Sequence, residues 1–149
     1  MIKKIDITIR NIAEDVLNIQ LPSYQVEADI IGYDDIPPLK DTVETLQQCG
    51  ETFYGYYLNE ELCGAISLKV EEGEVDIHRL IVHPNHFRKG IAQTLLHYLE
   101  SHLKEKTMKV ATGSKNTPAI RFYKKNGFEI VQEVIVNEQL SLTYFEKNR

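Results

Sequence analysis

The sequence has 149 residues, of which 42% are hydrophobic and 26% are charged, and this predicts one compact globular domain over residues 1–149. No apolar run approaches the roughly 20 residues of a membrane-spanning helix, and the polar N-terminus does not resemble a signal peptide. We therefore expect a cytoplasmic protein with no membrane partner. The net charge of -5 disfavours a nucleic-acid partner, because an acidic chain repels a phosphate backbone.

Charge is unevenly distributed along the chain. Residues 1–76 hold 5 basic and 16 acidic side chains, whereas residues 77–149 hold 12 basic and 6 acidic ones. An ordinary solvated surface explains this bias equally well, but the second part also suits a small phosphorylated ligand and the first part a cationic one. Two cysteines and five scattered histidines without ligand spacing predict neither a disulfide framework nor a metal site.

The first predicted elements are a strand and two helices. Isoleucine alternates with polar residues over Lys3–Arg10, which predicts a half-buried strand, and Asn11 is expected to cap a short helix that ends at Ile19. Leu21–Leu39 contains three prolines and a glycine, so we expect it to be irregular. Asp41–Gln48 is predicted to form the second helix.

Three strands, a helix and a fourth strand are predicted next. Thr52–Leu58 and Leu62–Val70 are rich in β-forming residues and predict a hairpin, and Glu74–His83 predicts a strand that a proline ends. Apolar residues every four positions predict a helix over Gly90–Lys104, and Met108–Thr112 predicts a short strand.

A helix and two strands complete the predicted order. Thr117 offers a capping hydroxyl before Pro118 at the first helical position, and Gly127 predicts a left-handed helix end. Phe128–Val136 and Gln139–Phe145 alternate and are expected to pair. The order β-α-α-β-β-β-α-β-α-β-β predicts a mixed α/β fold, with about seven strands in one sheet and about four helices flanking it.

The turn before the third predicted helix has the features of an anion site. A helix N-terminus presents unpaired N–H groups and a positive dipole end, and the small residues Gly90 and Ala92 would let a phosphate approach the backbone. Arg88 and Lys89 add two positive charges. Alone, the pattern is equally typical of a solvated basic loop, and it matches neither a nucleotide-triphosphatase loop nor a dinucleotide fingerprint.

A second pattern downstream makes the interpretation of this turn as an anion site more specific. The turn Phe87-Arg88-Lys89-Gly90-Ile91-Ala92 is followed by the spacing Asn-x-x-Ala-x-x-x-Tyr-x-x-x-Gly-Phe, formed by Asn116, Ala119, Tyr123, Gly127 and Phe128. Together they resemble the two central motifs of the GNAT superfamily of N-acetyltransferases, over residues 76–128. The family has Arg or Gln where this chain has Phe87, so Arg88 is the candidate to supply that charge.

The resemblance implies acetyl-coenzyme A as cosubstrate and a set of contacts to it. The main chain of Leu80, Ile81 and Val82 would hydrogen-bond the pantetheine arm as an added strand does. The N–H groups of residues 88–93 would bind the diphosphate, and Asn116 would contact the pantetheine or phosphate region. The implied contact residues of the turn and the following helices are Phe87, Arg88, Lys89, Gly90, Ile91, Ala92, Gln93, Asn116, Ala119 and Tyr123.

Acetyl transfer to an amine needs a base, an oxyanion donor and an acid. By the resemblance, Tyr123 is the candidate acid that protonates the leaving thiolate, although a tyrosine there could equally be a packing residue. Asp76 and His78, two apart on one strand, are expected to share a face with Leu80 and Val82 and are candidates for the base. Ordered water is the alternative base, and a main-chain N–H at residue 81 or 82 is the candidate oxyanion donor.

The acceptor site in such folds forms from the early helices and the loop between them, here Leu21–Gln48, with help from the last hairpin. Acidic and aromatic side chains occur together there and suit a cationic amine: Tyr24, Glu27, Asp29, Tyr33, Asp34 and Asp35. We therefore predict an N-acetyltransferase that acts on a small amine or an exposed amino group, with a homodimer as a possible assembly. The alternative is a non-catalytic module that senses acyl-coenzyme A.

Overall fold

The computed structural model describes residues 1–149 and shows seven strands and four helices in the predicted order. The strands are β1 (Ile2–Ile5), β2 (Thr52–Leu58), β3 (Glu61–Glu71), β4 (Glu74–Val82), β5 (Thr107–Gly113), β6 (Glu129–Ile135) and β7 (Ser141–Asn148). The helices are α1 (Arg10–Ile31), α2 (Val43–Gln47), α3 (Ile91–His102) and α4 (Thr117–Lys125). The predicted fold class, a mixed sheet flanked by helices, is confirmed. None of the helices is long and apolar enough to cross a membrane.

All seven strands lie in one sheet, in the order β1-β2-β3-β4-β5-β7-β6. Every neighbouring pair is antiparallel except β4 and β5, which run parallel. Their pairing extends only from Glu74 opposite Thr107 to Ile77 opposite Val110. Both strands continue beyond that point, β4 to Val82 and β5 to Gly113, so the middle of the sheet opens into a gap.

Helices cover both faces of the sheet and each face has its own core. The larger core lies under α3 and α4 and includes Leu95, Leu99 and Phe145. The smaller core lies under α1 and α2 and includes Val16 and Leu46. Amphipathic elements must bury their apolar faces against a neighbour, and a sheet between two helical layers satisfies all of them.

The first helix differs from the prediction at both ends. Strand β1 ends at Ile5, before the predicted limit, and Asn11 lies inside α1 rather than capping it, because the helix N-cap is Ile9. The helix passes through Pro22 and ends only at Gly32, which has φ of 80° and donates its N–H to the carbonyl of Ala28.

The predicted irregular segment is therefore helical over its first half. Proline removes a single N–H donor from the helix, and the burial of the continuing apolar face outweighs that loss. The buried positions on α1 keep a helical spacing past the proline: Ala13, Val16, Ile19, Gln20, Ala28 and Ile31. As a consequence α1 is long enough to carry Tyr24 and Glu27 to the gap between β4 and β5.

A bulge interrupts β4 at His78. Arg79 pairs with Ser67 and Ile77 pairs with Leu68, so His78 has no partner of its own in β3. One extra residue reverses the side-chain alternation. Val82 consequently points into the same core as Ile77, and the prediction that Asp76 and His78 share a face with Leu80 and Val82 is wrong.

Helix α4 is capped at both ends by side-chain and main-chain groups. Its N-cap is Asn116, whose side chain accepts the N–H of Ala119 at 3.3 Å, so the predicted cap at Thr117 is wrong by one residue. Gly127 has φ of 89°, and the N–H of Phe128 donates to the carbonyl of Tyr123 at 3.0 Å. The predicted left-handed helix end is thus confirmed, and it is a Schellman motif.

Arg79 connects the bulge to the helical layer above it. Its guanidinium donates to both carboxylate oxygens of Glu51, at 3.0 and 3.2 Å, to Asp41 at 2.6 Å and to Gln20 at 3.1 Å. Burial alone would raise the pKa of Glu51, but hydrogen bonds from Arg79 and Ser67, with the Arg79 charge, hold that pKa below its usual range. The network therefore joins α1, the segment before α2, the residue before β2 and β4 at one cation.

A methyl group at position 113 tests how closely α1 approaches β5. A Cβ atom on Gly113 would overlap Cδ1 of Ile31 and lie 3.2 Å from its Cγ1. We expect Gly113→Ala to lower the free energy of unfolding by about 1 to 3 kcal/mol, measured by urea denaturation. Adding Ile31→Val removes the overlapping atom and should recover part of that loss; no recovery would mean that the overlap is not its cause.

The ion pairs of Glu51 should make stability depend on pH. We expect Glu51→Gln to lower the free energy of unfolding at pH 7 by about 1.5 to 3 kcal/mol, because Arg79 loses a charged partner. A carboxylate whose pKa is depressed by folding stabilises the protein above its unfolded pKa, near 4.5, and loses this contribution as the pH falls through the lower folded value. The difference between wild type and variant should therefore shrink between pH 5 and about pH 3, as urea unfolding at each pH would show.

Glu44→Gln is the matched control for that experiment. Glu44 is 61% exposed and lies 3.8 Å from Arg10, so its removal should change stability by less than about 0.5 kcal/mol at every pH. A difference between wild type and Glu51→Gln that stays constant from pH 7 to pH 3 would contradict the assignment.

Candidate functional site

A cavity of about 210 Å³ occupies the gap where β4 and β5 separate. His78, Arg79 and Leu80 line it from β4, and residues 110–113 line it from β5. Helices α1 and α4 and the loops beside them complete the walls with Tyr24, Glu27, Ile31, Ile36, Pro37, Pro38, Asn116, Ala119, Tyr123, Leu140 and Leu142. The cavity therefore brings together side chains from both halves of the sequence.

Two tyrosines contribute phenol groups to this cavity. Tyr123 lies on α4 and is 6% exposed, and Tyr24 lies opposite on α1. Neither hydroxyl makes a hydrogen bond within the protein. No fully buried side-chain oxygen or nitrogen lacks a partner, so both hydroxyl oxygens keep some accessible surface. Burial first, and the charge of Glu27 second, raise the pKa of both phenols, so each keeps its proton at neutral pH.

Glu27 is the acidic side chain of the cavity on α1. Its Oε1 accepts a hydrogen bond from the hydroxyl of Thr112 at 3.2 Å, and Asn116 donates to the same hydroxyl at 3.4 Å. No lysine, arginine or histidine lies within ion-pair distance of Glu27, although nine such pairs occur in the protein. This carboxylate is therefore fixed in place without a counter-charge.

His78 lies at the bulge between two carboxylates. Its Nδ1 is 3.6 Å from Glu51 and its Nε2 is 3.5 Å from Asp76. His78 lines the cavity, whereas Asp76 is not among the lining residues. The two candidate base residues are thus neighbours, with the imidazole at the cavity and the carboxylate of Asp76 beside it.

The predicted anion site is a row of main-chain donors. None of the N–H groups of residues 88–93 donates to an acceptor in the protein; the first helical bond of this turn runs from Thr94 to Gly90 at 2.9 Å. Arg88 and Gly90 have φ of 64° and 75°, and Lys89 between them does not have a positive φ. Alternating backbone conformations of this kind turn successive N–H groups to one side and form an anion-binding nest.

The side chains of the turn are open to solvent or paired with each other. Phe87 is 42% exposed, and Nζ of Lys89 lies 3.1 Å from Nδ1 of His86. Gln93 and Asn126 exchange two amide hydrogen bonds, at 2.5 and 3.1 Å, which join the start of α3 to the end of α4. The turn can therefore hold an anion by its main chain, with the side chains supplying charge around it.

The main chain of β4 also faces the gap. His83 donates its N–H to Cys63 of β3 at 2.9 Å. Because hydrogen-bonding direction alternates along an antiparallel strand, Ile81 also faces β3, whereas the N–H and C=O groups of Leu80 and Val82 face the side where β5 has separated. Of the two N–H groups considered as oxyanion donors, that of Val82 therefore faces the gap.

Only part of the predicted acceptor segment lines the cavity. Asp35 lies outside the cavity and forms an ion pair with Lys40 at 2.7 Å. Asp29 and Asp34 also lie outside it and accept hydrogen bonds from Gln25, at 3.1 and 3.4 Å. The hydroxyl of Tyr33 accepts from Asn137 in the last hairpin at 3.3 Å. Of the six side chains predicted to form the acceptor site, only Tyr24 and Glu27 line the cavity.

Sequence reasoning did not single out four polar residues around the site: Gln20, Glu51, Arg79 and Thr112. Arg79 stands in a largely apolar strand, and a buried charge requires partners, so its position was a usable signal. Its partners Glu51 and Gln20 are 28 and 59 residues away, and no local pattern could have identified them.

Comparison with known proteins identifies a family and several relatives. The model of the acetyltransferase (GNAT) family matches residues 13–128. The chain is 38% identical over 135 residues to the UPF0157 protein YqkA of Bacillus subtilis, covering 90% of this chain and 39% of that protein. It is 28% identical over 95 residues to spermidine N(1)-acetyltransferase of Thermoplasma acidophilum, covering 62% of this chain and 59% of that enzyme. The chain thus spans about two fifths and three fifths of the lengths of these relatives.

The fold has close structural neighbours. The crystal structure of the PaiA N-acetyltransferase of Thermoplasma acidophilum, in complex with coenzyme A, matches with a TM-score of 0.82 at 22% identity and covers 100% of this chain and 98% of that one. At this identity the likeness shows the fold alone. With the family model covering residues 13–128, the predicted resemblance is confirmed: the chain belongs to the GNAT family of acetyltransferases.

Proposed function

We propose that the protein transfers an acetyl group from acetyl-coenzyme A to a primary amine, by direct attack of the amine in a ternary complex. The observation that carries the proposal is the row of unpaired N–H groups at residues 88–93, at the end of the strand whose free edge leads to the phenol of Tyr123. The similarity to a spermidine N(1)-acetyltransferase supports an amine acceptor, either a small cationic amine or an exposed amino group.

Acetyl-coenzyme A fits the groups that the structure presents. Its diphosphate matches the nest of residues 88–93, where Gly90 carries no side chain and a Cβ there would meet nothing within 4 Å. Its pantetheine amides match the free main-chain groups of Leu80 and Val82, which would bind them as an added strand. The thioester would then lie in the cavity between His78 and Tyr123.

The chemistry requires three proton transfers, two from the nitrogen and one to the sulfur. An alkylamine is protonated at neutral pH, with a pKa of about 10.4, and must first lose a proton. The free amine attacks the thioester carbonyl, a C–N bond forms, and the C–S bond breaks with its electron pair on sulfur. The amine loses its second proton and the thiolate gains one, which gives an amide and free coenzyme A.

We assign these protons to His78 and Tyr123. His78 lines the cavity and can accept the two amine protons in turn, releasing the first to solvent before it takes the second, while Asp76 and Glu51 lie on either side of its ring. Tyr123 keeps its proton at neutral pH because burial and Glu27 raise its pKa, and it lines the cavity, where its hydroxyl can donate to the thiolate as the C–S bond breaks. The N–H of Val82 faces the gap and can receive the developing oxyanion.

Binding of acetyl-coenzyme A tests the first part of the proposal. At a concentration 100 times its Kd the ligand should stabilise the fold by about 2.7 kcal/mol, which raises the Tm by about 5 to 10 °C in a thermal-shift measurement. We expect Gly90→Val to abolish this rise, because a branched side chain covers the N–H groups. A wild-type protein without a Tm rise at saturating acetyl-coenzyme A would refute the proposed function.

Gly73→Val is a matched control for backbone strain. Gly73 has φ of 78°, close to that of Gly90, and a Cβ there also meets nothing within 4 Å. It lies in the turn before β4, at the opposite end of that strand from the nest. Both variants should therefore be destabilised alike, and only Gly90→Val should lose the response to acetyl-coenzyme A.

Removal of one hydroxyl tests the acid. We expect Tyr123→Phe to lower kcat by at least about 100-fold with an amine that the wild type accepts, while the Tm rise with acetyl-coenzyme A persists. The hydroxyl has no hydrogen-bond partner in the protein, so the fold should tolerate its loss. Tyr144→Phe, on an exposed face of β7, is the control. Full turnover by Tyr123→Phe would exclude Tyr123 as the acid.

A non-catalytic sensor of acyl-coenzyme A would give a different result. It would show the Tm rise with acetyl-coenzyme A but no thiol release with any amine. Thiol release measured over a panel of polyamines, aryl amines, aminoglycosides and lysine peptides therefore separates the two functions.

A further inference from the structure

The carboxylate of Glu27 is an unbalanced charge in the wall of the cavity. The acidic groups of the neighbouring network, Asp41 and Glu51, are both paired with Arg79. Glu27 has only the neutral hydroxyl of Thr112 at 3.2 Å, which fixes its Oε1 and leaves its charge uncompensated. A partly buried anion without a counter-ion favours binding of a cation from solution.

The side chains around Glu27 suit an organic cation. Tyr24 lies one helical turn before it on the same face of α1, and Tyr123 lies across the cavity. The Glu27 charge raises the pKa of both phenols, so both lie within its electrostatic reach. The ring of Tyr123 packs against Phe128 and Phe145 in the core, so Tyr24 is the aromatic side chain left to a cation in the cavity. A carboxylate beside an aromatic ring binds an ammonium group by ion pairing together with cation–π attraction.

The size of the cavity limits the acceptor. Sites for drug-sized ligands usually enclose about 300 to 1,000 Å³, whereas this cavity encloses about 210 Å³ and would also receive the acetyl end of the cosubstrate. Apolar side chains such as Ile31, Ile36 and Leu142 line the remaining walls. A single alkyl chain can pack there, but a system of several sugar rings cannot.

In this scheme the ammonium at Glu27 is not the amine that reacts. The reacting amine attacks in its neutral form and His78 is the base assigned to it, whereas a lasting ion pair with Glu27 favours the protonated form. Glu27 then binds a second positive group that stays protonated while the first amine is acetylated. Such an acceptor carries two amines on one chain.

We propose that Glu27 is a specificity-determining residue that selects linear diamines and polyamines, by binding the distal ammonium of the acceptor beside Tyr24. This inference rests on the proposed acetyl transfer. The proximal amine attacks the thioester as described above, and the distal amine gains and loses no proton. The transferred group, the leaving thiol and the proton balance are unchanged.

The test compares two acceptors that differ by one charge. We expect wild-type kcat/KM for 1,4-diaminobutane to exceed that for n-butylamine by about 10- to 100-fold, the range of a hydrogen bond to a charged group. In Glu27→Gln the ratio should fall to within about threefold of unity. The amide retains an oxygen for Thr112, and a cooperative melting curve would check that the variant is folded.

Asp29→Asn is the matched control on the same helix. Asp29 is exposed outside the cavity and accepts a hydrogen bond from Gln25 at 3.1 Å. This variant removes the same charge two residues away, so long-range electrostatic steering is lowered by a similar amount. We expect its ratio of diamine to monoamine to remain that of the wild type.

The outcomes separate this inference from the proposed function. A wild-type ratio near one, or a ratio unchanged in Glu27→Gln, overturns the role of Glu27 even if acetyl transfer is confirmed. If no amine is acetylated, calorimetric titration of the coenzyme A-saturated protein with each amine still decides the matter. Stronger binding of the diamine that is lost in Glu27→Gln supports the cation site, and equal binding of the two amines refutes it.

Discussion

The separation of β4 from β5 after Ile77 and Val110 is the feature on which the site depends. Two parallel strands that stay paired would satisfy each other's main-chain groups and leave no room between them. Here β4 keeps its partner β3 on one side and presents Leu80 and Val82 on the other, so a ligand can complete the sheet. The same opening creates the cavity, so the proposed cosubstrate contacts and the proposed catalytic side chains lie along one continuous path.

Opening a sheet at its centre requires support from elsewhere, and the Arg79 network provides it. A buried cation with two carboxylates is not a strong source of stability by itself, because desolvation offsets much of the attraction. Its value here is geometric. The Arg79 network fixes β4 beside the bulge, where the side-chain alternation of the strand reverses. It also holds α1 and the segment before α2 over the gap. His78 reaches the cavity because the strand is fixed at this bulge.

The local signals in the sequence were sufficient for most of the fold. Alternation and helical spacing identify all eleven elements, and the two spaced motifs identify the family, because each depends on residues close together in the chain. The length of α1 could not be predicted from helix-breaking residues. A proline usually marks a helix boundary, but here the buried face of the helix continues beyond Pro22. The bulge at His78 could not be predicted either, because no residue type within β4 indicates an extra residue in the strand. Strict period-two reasoning therefore placed Asp76 and His78 on the wrong face relative to Leu80.

Binding of an ammonium group at Glu27 would also change the acidity of Tyr123, the proposed acid. Burial provides the larger part of the rise in the pKa of Tyr123, and the Glu27 charge adds to it. A distal ammonium at Glu27 would neutralise that charge and so weaken its contribution to the raised pKa. Tyr123 would then hold its proton firmly in the absence of acceptor and release it more readily once the acceptor is bound. A single carboxylate would in this way select the diamine and make the acid stronger in the complex where the thiolate leaves.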